Sequence, residues 1–214
     1  MKMKSKLFIM AALCAIAFKT NAQTEKGNFL LGGAVNFSTS KNESQSPEKK
    51  TAFGVLPRMG YFVSDNWAVG TSLSYSIAKS KGYITASAGE INFGSQQSNY
   101  GISPFVRYYT RIADNFKFFG DFNVSASRGI RKNVDEHGKA GNTTSKSTTY
   151  GTAISPGLAF FPAKKWAIEF QFPLVGYVHQ KDTPEIAGQI PYKYDSLSFG
   201  FSSFSPAIGV NYHF

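Results

Sequence analysis

From Phe204 to Phe214 every second residue is apolar or proline: Phe204, Pro206, Ile208, Val210, Tyr212 and Phe214. The residues between them are small or polar. Four other stretches alternate in the same way. Around residues 28–38, Phe29, Leu31, Val35 and Phe37 interleave with Asn28, Leu30, Gly32, Ala34 and Asn36. In "WAVGTSLSYSIA", Trp67, Val69, Thr71, Leu73, Tyr75 and Ile77 interleave with alanine, glycine and serine. "FKFFGDFNVSAS" sets Phe116, Phe118, Phe122 and Val124 against Lys117, Phe119, Asp121 and Asn123. "WAIEFQF" sets Trp166, Ile168, Phe170 and Phe172 against Ala167, Glu169 and Gln171. Strict alternation is what a strand between two unlike environments requires, because successive side chains point to opposite faces.

An internal repeat fixes the segmentation. "PRMGYF", "PFVRYYT", "PGLAFF" and "PAIGVNYHF" begin at Pro57, Pro104, Pro156 and Pro206, and each runs into aromatic residues. The first three then meet short turns at 64–66, 111–115 and 162–165, each followed at once by Trp67, Phe116 or Trp166. The pattern predicts eight antiparallel strands. The prolines, which cannot donate to a ladder, are expected to mark local bulges. The polar segments 39–50, 80–97, 128–147 and 180–196 are expected to be long solvated loops. Short turns alternating with long loops are habitual in transmembrane barrels and unusual in soluble domains.

Size decides which face looks outward. The interior of an eight-stranded barrel is just wide enough to be filled by side chains. The bulky parity of every strand could not fit there, whereas glycine, alanine and serine with a few long charged residues could. The expected fold is therefore all-β: an eight-stranded antiparallel up-and-down transmembrane β-barrel with its apolar parity toward lipid. No apolar run after the N-terminus approaches a membrane-spanning helix.

The first 22 residues belong to another problem. Lys2, Lys4 and Lys6 precede the run "LFIMAALCAIAF", and "TNA" precedes Gln23, the order of a secretory signal peptide cleaved after Ala22. Residues 23–214 then form the barrel domain. This remainder lacks cysteine, since the one cysteine of the chain is Cys14, so no disulfide framework is expected. It carries 19 basic and 13 acidic residues, a net charge of +6, which points to anionic partners. Export and the lack of any nucleic-acid module argue against nucleic acid.

The terminal "IGVNYHF" resembles the C-terminal signal read by the machinery that folds outer-membrane barrels, with Ile208, Val210, Tyr212 and Phe214 as its alternating apolar positions. The remainder as a whole, from about Gly27 to Phe214, resembles the small eight-stranded "outer membrane protein beta-barrel domain" family, related to the outer-membrane protein A and X type. The resemblance implies a Gram-negative outer membrane and assembly by the barrel-folding machinery. It departs from the outer-membrane protein A layout in having no peptidoglycan-binding domain after the last strand, so cell-wall anchoring is not inferred.

Two groups of residues stand out chemically. Arg58, Arg107, Lys117, Asp121 and Glu169 fall on the inward parity and are expected to form a lumen charge network, because buried charges must be paired or solvated. Arg107 and Asp121 flank one turn almost symmetrically and should face each other. Such a network plugs the lumen or gates small solutes. Arg128, Arg131, Lys132, Lys139 and Lys146 concentrate charge in the third loop and are candidates for contact with lipopolysaccharide phosphates. His137, His179 and His213 lack metal-ligand spacing, so no metal, cofactor or catalytic residue is expected. The expected role is structural or surface-interactive, through long extracellular loops, by a monomer whose partners are outer-membrane lipid, lipopolysaccharide and a possible extracellular ligand. A narrow porin-like channel is the alternative, and a lipid A-modifying enzyme a more distant one.

Overall fold

The computed structural model describes residues 24–42, 47–86, 89–135, 137–185, 188–200 and 207–214. The expected signal peptide at 1–22 and the repeat proline Pro206 lie outside them. The strands are β1 (Phe29–Asn42), β2 (Glu48–Ser64), β3 (Trp67–Ala86), β4 (Gly89–Ala113), β5 (Phe116–Val134), β6 (Ala140–Ala163), β7 (Trp166–Gln171), β8 (Val175–Pro184), β9 (Tyr192–Phe199) and β10 (Ala207–His213). Every pairing is antiparallel, and β1 to β6 pair in sequence order. β6 then pairs with β7 near their shared turn and with β8 beyond it, while β10 pairs β7 and β9 pairs β8. The last four strands are thus halves of two staves, and the eight-staved barrel closes where β10 meets β1.

The closure uses the last residue. Phe29 and Phe214 exchange backbone hydrogen bonds of 2.6 and 2.9 Å, next to the register pair Leu30 and His213. The interruption between β7 and β8 has a local cause. Pro173 supplies no N–H between β7 and β8. Phe172 N–H and Leu174 N–H still reach Pro156 O at 2.9 Å and Ile154 O at 3.1 Å. The register slips by one residue there, from Gly157 opposite Gln171 to Ile154 opposite Val175. The outward set on this stave therefore changes from Trp166, Ile168 and Phe170 to Val175, Tyr177 and His179. After β9, Gly200 adopts a φ of 109°, in the left-handed region that favours glycine.

Two expectations need correction. The register runs unshifted through Pro57 and Pro104, so neither proline makes a bulge. Each is paired with the preceding stave, to Gly33 and Thr71, and the ladder lapses only toward the following one. Register shifts lie next to the short turns, between Phe62 and Ser64, Arg111 and Ala113, and Phe160 and Ala163, and toward the far end of β5 between Arg131 and Val134. Of the repeat prolines, Pro156 alone among the described residues stands at a slip, the one across from Pro173.

Three of the four polar segments are also not long loops, whereas in the fourth the ladder between β8 and β9 ends at Asp182 with Tyr192. β1 and β2 pair out to Asn42 with Glu48, β3 and β4 to Ala86 with Gly89, and β5 and β6 to Val134 with Ala140. With 25 residues in β4 and 24 in β6, more than half of each strand lies beyond the 9–11 residues that cross a membrane. Above the bilayer both faces meet water, so serine, threonine, asparagine and lysine replace the apolar parity while the backbone ladder continues.

The parity itself is as expected. Leu73, Val106 and Phe122 are exposed by 52, 39 and 48%, while their inward neighbours Ala68, Ser72 and Arg107 are exposed by 5% or less. A continuous exposed apolar belt of this kind needs a hydrocarbon partner. At the short-turn end it finishes in cross-strand aromatic pairs with centroids 4.8–5.0 Å apart: Phe29 with Tyr61, Trp67 with Tyr108, Phe116 with Phe160 and Trp166 with Tyr212.

Candidate functional site

The interior is built in layers from the short-turn end. The repeat places an aromatic doublet just before each turn and at the C-terminus: Tyr61 and Phe62, Tyr108 and Tyr109, Phe160 and Phe161, Tyr212 and His213. In a strand one member of each doublet must point inward. It is the second each time. Phe62, Tyr109, Phe161 and His213 meet across the axis, with His213 5.3 Å from Phe161, 5.7 Å from Phe62 and 6.2 Å from Tyr109 between ring centroids. Leu30 and Phe119 complete the layer, and all six side chains are buried to 1% exposure or less.

Backbone bonds lock this floor to the turns. Asn66 O, Asn115 O and Lys165 O accept from Tyr109 N–H, Phe161 N–H and His213 N–H at 2.9, 2.8 and 2.7 Å. Glycine makes the room. A Cβ on Gly157 would lie 2.3 Å from Phe119 Cζ, and one on Gly70 2.7 Å from Phe105 Cζ.

Directly above the floor lies a charge layer centred on Arg107 of β4, whose side chain has no exposure. Arg107 Nε and Nη2 donate to Asp121 Oδ1 and Oδ2 at 2.9 and 2.8 Å, a two-pronged contact matching the fork of the guanidinium. Its Nη1 donates to Glu169 Oε2 at 2.6 Å and to Tyr109 Oη at 2.9 Å, and Tyr109 Oη donates to Glu169 Oε1 at 3.1 Å. Asp121 Oδ2 also accepts from Arg58 Nη2 at 2.7 Å and Gln171 Nε2 at 3.0 Å. Both guanidiniums lie on aromatic faces, Arg107 3.9 Å from the Phe119 centroid and Arg58 4.0 Å from that of Phe105. Two cations meet two carboxylates, so the cluster is neutral and its carboxylate oxygens are satisfied.

Sequence reasoning named Arg58, Arg107, Asp121 and Glu169, and the structure brings these four together. Arg107 and Asp121 are direct cross-strand partners. Lys117 stands apart, because it lies four residues nearer the turn; its ammonium bonds Thr24 Oγ1 at the rim. Tyr109, Gln171 and the aromatic floor were missed. Above the charge layer lies a cavity of about 190 Å3, bordered by Arg58, Ser72, Ser103, Asn123, Gln171 and Asn211 among others.

The basic residues of the third polar segment divide between faces. Register puts Arg128 opposite Tyr100, and Lys146 opposite Ile130, on the outward face. Lys132, opposite Gln96, lies on that face too. Lys146 pairs with Glu185 at 2.9 Å. Arg131 points inward, where its Nη2 donates to Gln97 Oε1 at 2.9 Å. Lys139 sits in the tip turn, its backbone N–H on Asp135 Oδ1. Ile208 and Val210 are exposed on the outer surface, and Tyr212 and Phe214 stack at its lower edge. His179 Nδ1 lies 2.8 Å from Asp195 Oδ1, which also accepts from Tyr177 Oη at 2.7 Å. That cluster arises from the register slip at Pro173 and had no sequence signal.

A profile described as "Outer membrane protein beta-barrel domain" matches residues 8–214. No curated protein matches the chain. Among solved structures, the chain is similar to the outer membrane protein OprG from Pseudomonas aeruginosa, with 15% identity over 91% of this chain and 99% of that one, at a TM-score of 0.48. It is similar to Neisserial surface protein A at 14% identity, over 88 and 98% of the two chains, with a TM-score of 0.44. Similarity also extends to Ail, the attachment invasion locus protein of Yersinia pestis, at 13% identity over 88 and 99%, with a TM-score of 0.36.

Proposed function

Because the chain belongs to the outer membrane protein beta-barrel domain family, we propose that it is a non-conducting structural barrel of the outer membrane that holds stiff polar hairpins at the cell surface for contact with other molecules. The observation that supports this reading is the sequence of two closed layers across the lumen: the buried aromatic floor, then the neutral cluster around Arg107. Water and ions passing this point would have to separate a guanidinium from two carboxylates in a low-dielectric interior, where breaking a buried pair is costly. The hairpins supply the surface part of the reading. Their ladders hold polar side chains on a rigid frame, which is where binding functions reside.

Lipid contact fits the same role. Arg128 and Lys132 are outward cations in position to meet lipopolysaccharide phosphates, and Lys146 shares its charge with Glu185. Ile208, Val210, Tyr212 and Phe214 form the strand that the assembly machinery would recognise before it seals against β1. The chain acts as a monomer with no catalytic role and no cofactor.

Planar-bilayer recording tests the reading. Purified protein is expected to insert without producing unitary current steps. Reproducible steps that change when Arg107 or Asp121 is substituted would overturn it in favour of a narrow channel through the same layer.

A further inference from the structure

The cavity of about 190 Å3 above the charge layer has two unlike walls. On one side it is bordered by Arg58, Ser72, Ser103, Asn123 and Gln171, all side chains that donate or accept hydrogen bonds. Toward β1 it is bordered by Gly33, Ala34 and Leu56. Leu56 stands opposite Ala34 and shares the inward parity of Gly54 and Arg58, yet it is 42% exposed. An apolar side chain therefore lies uncovered inside the barrel, where an apolar group that displaces water from it gains free energy.

Arg58 is the polar anchor. Its side chain keeps 14% exposure. Among the described residues it makes one hydrogen bond, Nη2 to Asp121 Oδ2 at 2.7 Å, so further N–H groups of the guanidinium are left for a ligand oxygen. Charge decides what carries that oxygen. Arg58 and Arg107 already balance Asp121 and Glu169, so a bound carboxylate or ammonium would add an uncompensated charge to a buried site. A neutral carbonyl oxygen adds none. Ser103 Oγ donates to Val124 O at 3.4 Å and keeps its lone pairs for an amide hydrogen. Size limits the rest. A cavity of about 150 Å3 holds benzene, so this one takes a compact apolar ring with a small head group.

We propose that this cavity is a binding site for a small uncharged carboxamide with a compact apolar body. Its carbonyl oxygen accepts from Arg58, its amide hydrogens reach Ser103 and Asn123, and its body lies against Ala34 and Leu56. The site goes beyond the surface role of the hairpins and lies above the closed layers, so ligand binding and conductance are read separately and fail separately.

The test titrates benzamide, and its charged isostere benzoate, into the detergent-solubilised barrel carrying labelled methyl groups. NMR reads the Ala34 and Leu56 methyls in the cavity and the Leu73 methyls on the lipid face. Benzamide is expected to shift the cavity methyls saturably and leave Leu73 unmoved, and benzoate should bind about tenfold more weakly. Ser103→Leu, which fills the cavity, should abolish the shifts, and Arg58→Gln should weaken benzamide binding about tenfold. Lys164→Gln, in the short turn beyond the floor, should bind as wild type. Heat-modifiable migration on gels verifies folding, and Ser103→Val serves if Ser103→Leu folds poorly. The site would be overturned by the lack of a saturable shift at Ala34 and Leu56, by equal binding of benzamide and benzoate, or by wild-type affinity in the folded Ser103 and Arg58 variants. Parallel shifts at Leu73 would overturn it too, by assigning the probe to the detergent layer.

Discussion

Arg107 makes four of the hydrogen bonds that close the lumen, to Asp121, Glu169 and Tyr109, and lies against the face of Phe119. Removing it leaves Glu169 without its bonded cation and Asp121 with Arg58 alone. Arg107→Ala is expected to lower unfolding stability in detergent by about 3–5 kcal/mol. Arg58→Ala should cost less than half as much, since Asp121 keeps Arg107 and Gln171 as donors. Urea titrations of the variants check both the size and the order. The pairing of Arg107 with Asp121 was legible because two residues equidistant from a tight turn must oppose each other. Lys117 shared their parity but not their height, and parity alone does not give height. Phe119 shared the inward parity, but parity does not say which rings meet across the axis, and in the doublet Tyr108–Tyr109 composition does not distinguish the inward member from the outward one.

At the scale of elements, the notable feature is how far the strands continue beyond the apolar belt. Composition argued for loops, because segments rich in serine, lysine and asparagine usually are loops. What overrode composition is the closed ladder: once two strands are paired through the membrane, each further pair adds backbone hydrogen bonds without a new closure cost. Amides of residues 95–99 and 129–133, which pair with each other across β4 and β5, are expected to exchange with deuterium far more slowly than unstructured segments. Fast exchange there would restore the flexible-loop description and remove the stiff hairpins from the proposed role. The break at Pro173 was less legible. A single proline in "FPLVG" did not announce that the outward parity would change across it, yet that change puts His179, Tyr177 and Asp195 together.

For the whole molecule, the sequence carried the architecture because one question, which parity is greasy, settles membrane barrel against soluble barrel. The eight staves, their order and the C-terminal closure onto β1 followed from that parity and from the repeat. The sealed floor did not follow, since it depends on which aromatics of adjacent strands meet across the axis and on glycines such as Gly157 that admit them.

Bulky residues face lipid, while the small, polar and charged ones line a closed interior. The chain beyond Cys14 has no cysteine, so single cysteines can be placed at successive positions 68–75 of β3, spin-labelled, and reconstituted in bilayers. Strict alternation is expected: labels at 69, 71, 73 and 75 broadened by oxygen dissolved in lipid, and labels at 68, 70, 72 and 74 shielded from it. Uniform accessibility to a water-soluble relaxant, or oxygen contact on the even positions, would contradict it.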